Sequence, residues 1–381
     1  MLILKKFADF KNLFNSLEFN RPFSEHSSLI HKHHDFVNSK LNLFIQTDEL
    51  IDLKIRLALA DLPKKSFARL KASPYLCELL LICEKNSSEN QLPLRRQIIL
   101  ALLAEIKIAN PHFTHEISPK WTVDGDVVLD PKISAVVPSV KTSCGIGLNY
   151  QSYIHNTGKS GIGGYDYQMA LKHKERIETA KQLVTRASSS SASLIETFTK
   201  TIQFRQNTER PNVVNSSTET SIGLIRCDNF HKIHNDLPEV VDMLVHESIH
   251  QYLHLFEEQL FDFVNLETFQ KNLAEERIFP SPWSGNLLDM RSYTHAIMVW
   301  YGLIHFWSQF LQKKISHLEL TNEQAKIKLN EAVYGFVQTQ DVLENLGNSR
   351  KFLTEEYVSN VKDIQQKVKQ MTKANNETAL L

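Results

Sequence analysis

A long helix carrying two histidines on one face constrains this chain more than any other feature. Asp236-Leu237-Pro238-Glu239 holds the signals of a helix start. An aspartate there caps free amides, a proline suits the first turn, and Glu239 is placed for a capping box. Val240, Leu244, Leu253 and Phe256 follow at three- and four-residue spacings and predict an apolar face. Inside this stretch lies His246-Glu247-Ser248-Ile249-His250. Residues i and i+4 share a helical face with Cβ atoms about 5–6 Å apart, so the two imidazoles are placed to reach one metal ion. Glu247 is then placed to face a metal-bound water or to brace a ligand. The alternative is a half-buried helix face with two incidental histidines.

Composition removes several classes of function. Hydrophobic residues make up 42% of 381 positions, enough for a sizeable core and for more than one structural subregion. The 43 basic and 43 acidic residues cancel. There is no basic stripe to bind nucleic acid and no polybasic block to bind a membrane surface. No apolar run reaches the roughly 18 residues of a transmembrane helix. Met1-Leu2-Ile3-Leu4-Lys5-Lys6 puts apolar residues before charge, the reverse of a secretory signal. Cys77, Cys83, Cys144 and Cys227 form no CxxC pair, which fits a reduced cytoplasm.

The pattern along the chain predicts a mostly helical α+β protein. The histidine helix would lie beside a small antiparallel sheet, with helical regions at both ends. Residues 1–110 carry helical periodicity in Lys6–Phe19, Leu41–Leu62 and Arg95–Ala109. The histidines at 26, 31, 33 and 34 have irregular spacing and polar flanks, and read as a solvated group. Residues 111–315 form the predicted catalytic region. Asp124-Gly125 between short β-like runs signals a hairpin, and Ile133–Val140 is a further β-branched stretch. Glycines then crowd between 145 and 164. Gly158-Lys159-Ser160 resembles the end of a phosphate loop, but the earlier glycine that loop requires is Tyr153. A mobile lid is the reading that remains. Residues 168–207 read as two helices split at Ala187–Ser193. Asn212–Asn215 and Ser221–Arg226 read as strands, the second with an edge free to add an extended peptide. Ser281–Gly285 is a turn, and Leu287–Phe310 is a buried apolar helix. Residues 316–381 hold two charged helices, near 322–345 and 354–372, and a polar tail.

A catalytic metal needs a third protein ligand. His254 is nearest, but a continuous helix sets it about 12 Å from His246 along the axis, and no glycine breaks the helix between them. Glu267, Glu275 and Glu276 lie where a downstream carboxylate ligand would, in an ordinary amphipathic context. His295, among Ile297, Met298 and Trp300, is a buried imidazole that requires a partner, either a metal or the hydrogen bond of an ordinary core histidine. His305 is a weaker version of the same idea.

Leu244–His250, followed by Ser281-Pro282-Trp283, Tyr293-Thr294-His295-Ala296 and Phe306-Trp307, resembles the HExxH motif-containing peptide-modification proteins. Ser216–Leu224 adds to the likeness, which spans roughly residues 187–312. That family includes iron- and 2-oxoglutarate-dependent β-hydroxylases of ribosomally made precursor peptides. The resemblance implies His246, His250 and His295 as metal ligands, Fe(II) and 2-oxoglutarate as cofactors, and a precursor peptide as partner. The family pattern places a basic residue after the Pro-Trp pair, where this chain has Ser284. Arg291, one turn before His295, is either the substitute cation for the 2-oxoglutarate carboxylate or a member of a surface ion pair.

Two chemistries draw on the same ligands. In a hydroxylase Glu247 braces a ligand or water. In a zinc peptidase it is the general base that deprotonates a zinc-bound water. A non-catalytic helical binding protein with an incidental motif is the third option.

Overall fold

A computed structural model describes residues 11–23, 27–71, 73–85, 92–110, 112–116, 122–124, 127–129, 146–147, 162–163, 167–207, 212, 214–217, 221–233, 235–259, 263, 278–315 and 317–378. The protein is a mostly helical α+β structure. None of its described helices is long and apolar enough to cross a membrane. Its residues cluster into two compact units, each discontinuous in sequence: 24–180 with 194–240, and 1–23 with 181–193 and 241–381. The boundaries at 110 and 315 read from periodicity do not coincide with these, because strands and helices distant in sequence share each core.

The first unit holds helices α1 (Ser27–Thr47), α2 (Leu53–Ala60), α3 (Lys64–Lys71), α4 (Pro74–Lys85) and α5 (Leu92–Ala109). Their apolar faces meet in one cluster that includes Val37, Leu41, Ile55, Leu76, Leu80, Ile98, Leu102 and Ile106. The predicted helix over 41–62 is in fact two. Asp48 accepts the Leu50 amide at 2.9 Å, and Asp52 caps α2 by accepting the Ile55 amide at 2.8 Å. Short acidic side chains compete with the helical ladder for backbone donors, and the chain turns between them. The histidines near residue 30 are not a uniformly solvated group. His33 is buried, with Nε2 3.7 Å from the Cys77 sulfur. Burial, followed by the charges of His33 and Lys200, pushes the His34 imidazole down to about 4.

Strands of the same unit are β1 (Thr122–Asp124), β2 (Val127–Leu129), β3 (Ile146–Gly147), β4 (Ile162–Gly163), β5 (Thr201–Asn207), β6 (Val214–Ser216) and β7 (Leu224–Asp228). β1 and β2 pair antiparallel as expected, with Asp124 opposite Val127. The larger sheet is mixed. β3 and β7 run parallel to β5, while β6 pairs antiparallel with β7 and β4 antiparallel with β5. β7 therefore has a strand on each side and is buried at all five positions, so its edge is not free to take a peptide. Residues 168–207 are not helical throughout. Helices α6 (Tyr167–Ala187) and α7 (Ser189–Phe198) are followed by β5, in which Ile202 and Phe204 point into the core at the two-residue strand period. The split expected within Ala187–Ser193 falls at Ser188, and the small residues from 189 begin α7. Ile133–Val140 and most of the glycine-rich loop lie outside the described residues.

Helix α8 (Leu237–Gln259) begins as predicted and runs into the second unit. There it joins hairpin strands β8 (Phe279–Pro280) and β9 (Leu287–Leu288) and helices α9 (Met290–Gln312), α10 (Asn322–Gln338) and α11 (Glu355–Thr378). Ser281–Gly285 makes the hairpin turn. The Gly285 amide reaches the Ser281 carbonyl at 2.9 Å, with Gly285 at φ +70°, a conformation glycine adopts without strain. Asp289 caps α9 by accepting the Ser292 amide at 2.7 Å, and Thr321 with Gln324 forms a capping box on α10. The core of this unit includes Leu244, Leu253, Phe256, Met298, Trp307, Phe336 and Tyr357. Gly302 lets α8 and α9 approach closely, with Ile249 filling the space a side chain would take.

Candidate metal centre

Four chemistry-bearing residues line one stripe of α8: Glu247, His250, His254 and Glu257. Their 3-4-3 spacing keeps them on one face over nearly three turns. Across from them α9 presents Arg291 and His295, themselves an i, i+4 pair. The cap at Asp289 fixes the start of α9, so both side chains arise from its first two turns.

The imidazoles of His250 and His295 face each other, with their Nδ1 atoms 3.4 Å apart. The ring of His254 is centred 4.8 Å from that of His295. One ligand atom from each of His250, His254 and His295 lies within 4.8 Å of the others, the one such group among the described residues. His246 does not belong to it. Its ring is 5.0 Å from that of His250 and meets Trp300 edge-on at 6.0 Å. The structure thus places the expected His250 and His295 together and sets His254 beside them where His246 had been expected. The helical rise that separates His254 from His246 is real, but His250 and His254 are a second i, i+4 pair on the same stripe. That spacing was readable in the sequence. Glu267, Glu275 and Glu276 lie outside the described residues, and His305 is not in the group.

Glu257 carries no signal in the sequence beyond its place on α8. A single carboxylate oxygen, Oε2, accepts from His295 Nε2 at 3.0 Å and from Arg291 Nε at 2.6 Å. The side chains of Glu257 and His295 are each only 2% exposed, and that of Arg291 is 36% exposed. Arg291, expected as a cosubstrate cation, therefore neutralises a buried carboxylate. Glu247 is buried beside the first histidine of the motif. Ser284, in the position after Pro-Trp, is exposed.

Burial dominates the electrostatics. It depresses the His246 and His250 imidazoles, the latter well below its ordinary value with help from the neighbouring histidines. His295 is pushed down to about 3, by burial first and then by Arg291. At neutral pH these rings hold lone pairs, the form a metal binds. Two nitrogens sharing one ion at a tetrahedral angle, each about 2.0–2.1 Å from it, are separated by about 3.3–3.4 Å. The His250–His295 separation fits that requirement, and the three imidazoles are the donor type that zinc, iron and copper accept.

Aromatic rings border His246 and His295. Trp300, which meets His246, stacks on Trp283 with centroids 5.7 Å apart and planes 12° from parallel, and Trp283 Nε1 donates to the Ala332 carbonyl at 2.9 Å. Phe263 packs edge-on to His295 at 5.7 Å. A separate cavity of about 820 Å³ is lined by Arg350, Lys351, Lys362 and neighbours, and includes none of the candidate residues.

No protein-family model matches the chain, and no characterised protein matches it.

Proposed function

We propose that this protein is a metal-dependent peptide-modifying enzyme. Its ion is held by His250, His295 and His254, with His246 as the competing third ligand. The observation that carries the reading is the pair of Nδ1 atoms 3.4 Å apart, both on depressed, neutral imidazoles in a buried site. Three protein ligands leave coordination positions open, as a catalytic site requires.

For the reaction we favour Fe(II)- and 2-oxoglutarate-dependent hydroxylation of a side chain in a ribosomally made peptide. The likeness of the His246–His250, Ser281–Trp283 and Tyr293–Ala296 segments to that peptide-modification family supports it. The bound iron would supply oxygen activation coupled to decarboxylation of the oxoacid. The chain's own residues do the rest. His250, His254 and His295 would hold the ion, and Arg291, already paired with Glu257 through Nε, would also take the oxoacid's carboxylate. A reduced, cytoplasmic setting fits four cysteines with no CxxC pair.

Zinc peptidase chemistry is the second reading. The tetrahedral separation of the two Nδ1 atoms and the burial of Glu247 beside the motif's first histidine favour it. Glu247 would then take the proton of the attacking water.

Anaerobically purified protein supplied with Fe(II), 2-oxoglutarate and oxygen should form succinate, and a co-expressed precursor peptide should gain one oxygen in mass. Tightly held zinc, no succinate and cleavage of a generic peptide would replace the hydroxylase by the peptidase. Glu247→Gln should abolish a zinc hydrolase and only weaken a hydroxylase.

A further inference from the structure

Metal-ligating histidines commonly donate their second ring nitrogen to a carboxylate, which fixes tautomer and ring orientation. His295 has that arrangement before any ion is considered. Its Nε2 lies 3.0 Å from Glu257 Oε2, inside a site where both side chains are 2% exposed. An ionised carboxylate only accepts hydrogen bonds, so Nε2 carries the proton and Nδ1 carries the lone pair. That lone pair is the one aimed at His250 Nδ1. The same Oε2 also accepts from Arg291 Nε at 2.6 Å. The cation compensates a carboxylate that would otherwise be buried alone at considerable cost.

We infer that Glu257 is the positioning residue of this centre: one oxygen selects the metal-binding tautomer of His295 and holds Arg291 at the edge of the site. The inference rests on the proposed metal centre for its purpose, but its geometry stands in the metal-free protein. Glu257 touches neither ion nor substrate and acts through its two neighbours. Sequence spacing alone makes it an ordinary acidic residue near a helix end. The fold makes it the brace of a ligand on another helix.

The test uses the full chain, metal-free and titrated with Co(II), as wild type, Glu257→Gln and Glu257→Ala. Long-range ¹⁵N–¹H spectra of the histidine rings, with His295 assigned through His295→Gln, report the tautomer without metal. Wild type should show His295 protonated at Nε2. Glu257→Ala should shift it toward the Nδ1-protonated form or a mixture. Glu257→Gln, which keeps the shape and one acceptor oxygen, checks that the change is not loss of fold. Co(II) affinity, read from visible ligand-field bands, should fall about 10–100-fold in the alanine variant and less in the glutamine variant.

An Nδ1-protonated His295 in wild type would overturn the inference. So would an unchanged tautomer in Glu257→Ala, or unchanged Co(II) affinity in a folded Glu257→Ala whose wild type binds the ion. Absence of Co(II) binding in wild type, with the Nε2 proton still dependent on Glu257, would instead defeat the metal centre and leave the tautomer assignment standing.

Discussion

His250 Nδ1 on α8 and His295 Nδ1 on α9 lie 3.4 Å apart although 45 residues separate them in sequence. Without a metal, one Nδ1 donates a hydrogen bond to the other's lone pair, and a bound ion would take the place of that proton. On the proposed centre, replacing either histidine by alanine should abolish stoichiometric Co(II) or Zn(II) binding in a calorimetric titration. His254→Ala should weaken binding at least tenfold and His246→Ala much less. The opposite order would restore His246 as the third ligand.

Gly335 on α10 lies flat against Trp283. An added Cβ would sit 2.6 Å from the indole Cδ2 and 2.8 Å from Nε1. The indole is pinned by its bond to the Ala332 carbonyl and by its stack on Trp300, so it has little room to yield. Gly335→Ala should cost about 1–3 kcal/mol through overpacking, despite alanine's better helix propensity. Chemical denaturation of the two proteins side by side measures it. A neutral or stabilising result would show that Trp283 moves freely.

Asp242 accepts from Trp307 Nε1 at 2.7 Å, and burial pushes its carboxyl up to about 6 against the opposing pull of Lys328. A raised acid favours the folded state most below its unfolded value of 3.8, and this stability is lost as pH rises through about 6. Asp242→Asn keeps the acceptor and removes the charge. It should leave stability unchanged near pH 3.5 and raise it at pH 8 by up to about 3 kcal/mol. Thermal melts across that range would decide, and an equal shift at both pH values would contradict the assignment.

Glu78 and Arg226 form an ion pair between α4 and β7 in the first unit, with side chains 2% and 3% exposed. Removing one partner leaves the other charged and buried. Arg226→Met or Glu78→Leu alone should cost about 3–5 kcal/mol, whereas the double variant Glu78→Leu/Arg226→Met should recover much of it. Denaturation midpoints of the three variants measure the coupling.

Local signals in the sequence determined the helices, several caps and turns, and half of the centre. Pro238 and Glu239 at the start of α8, the Asp124-Gly125 hairpin and the apolar run of α9 each express a backbone preference of neighbouring residues. His246 and His250 were visible because four residues make one helical turn. Where short-range signals conflicted, the sequence misled. Asp48 and Asp52 split a periodic stretch into two helices, and alternation in Thr201–Asn207 belonged to a strand. Tertiary structure decided the partners. The mixed pairing of β5 and β7 with strands far along the chain depends on which edges find a complement, and no local pattern carries that. The same holds for the centre. Glu257 and His254 lie on α8 with ordinary helical spacing, and Arg291 and His295 lie on α9. Only the close approach of the two helices turns an acidic residue into a brace and selects which histidines face one another. Distance between helices is set by packing of residues such as Gly302 and Ile249, and packing is a property of the whole fold.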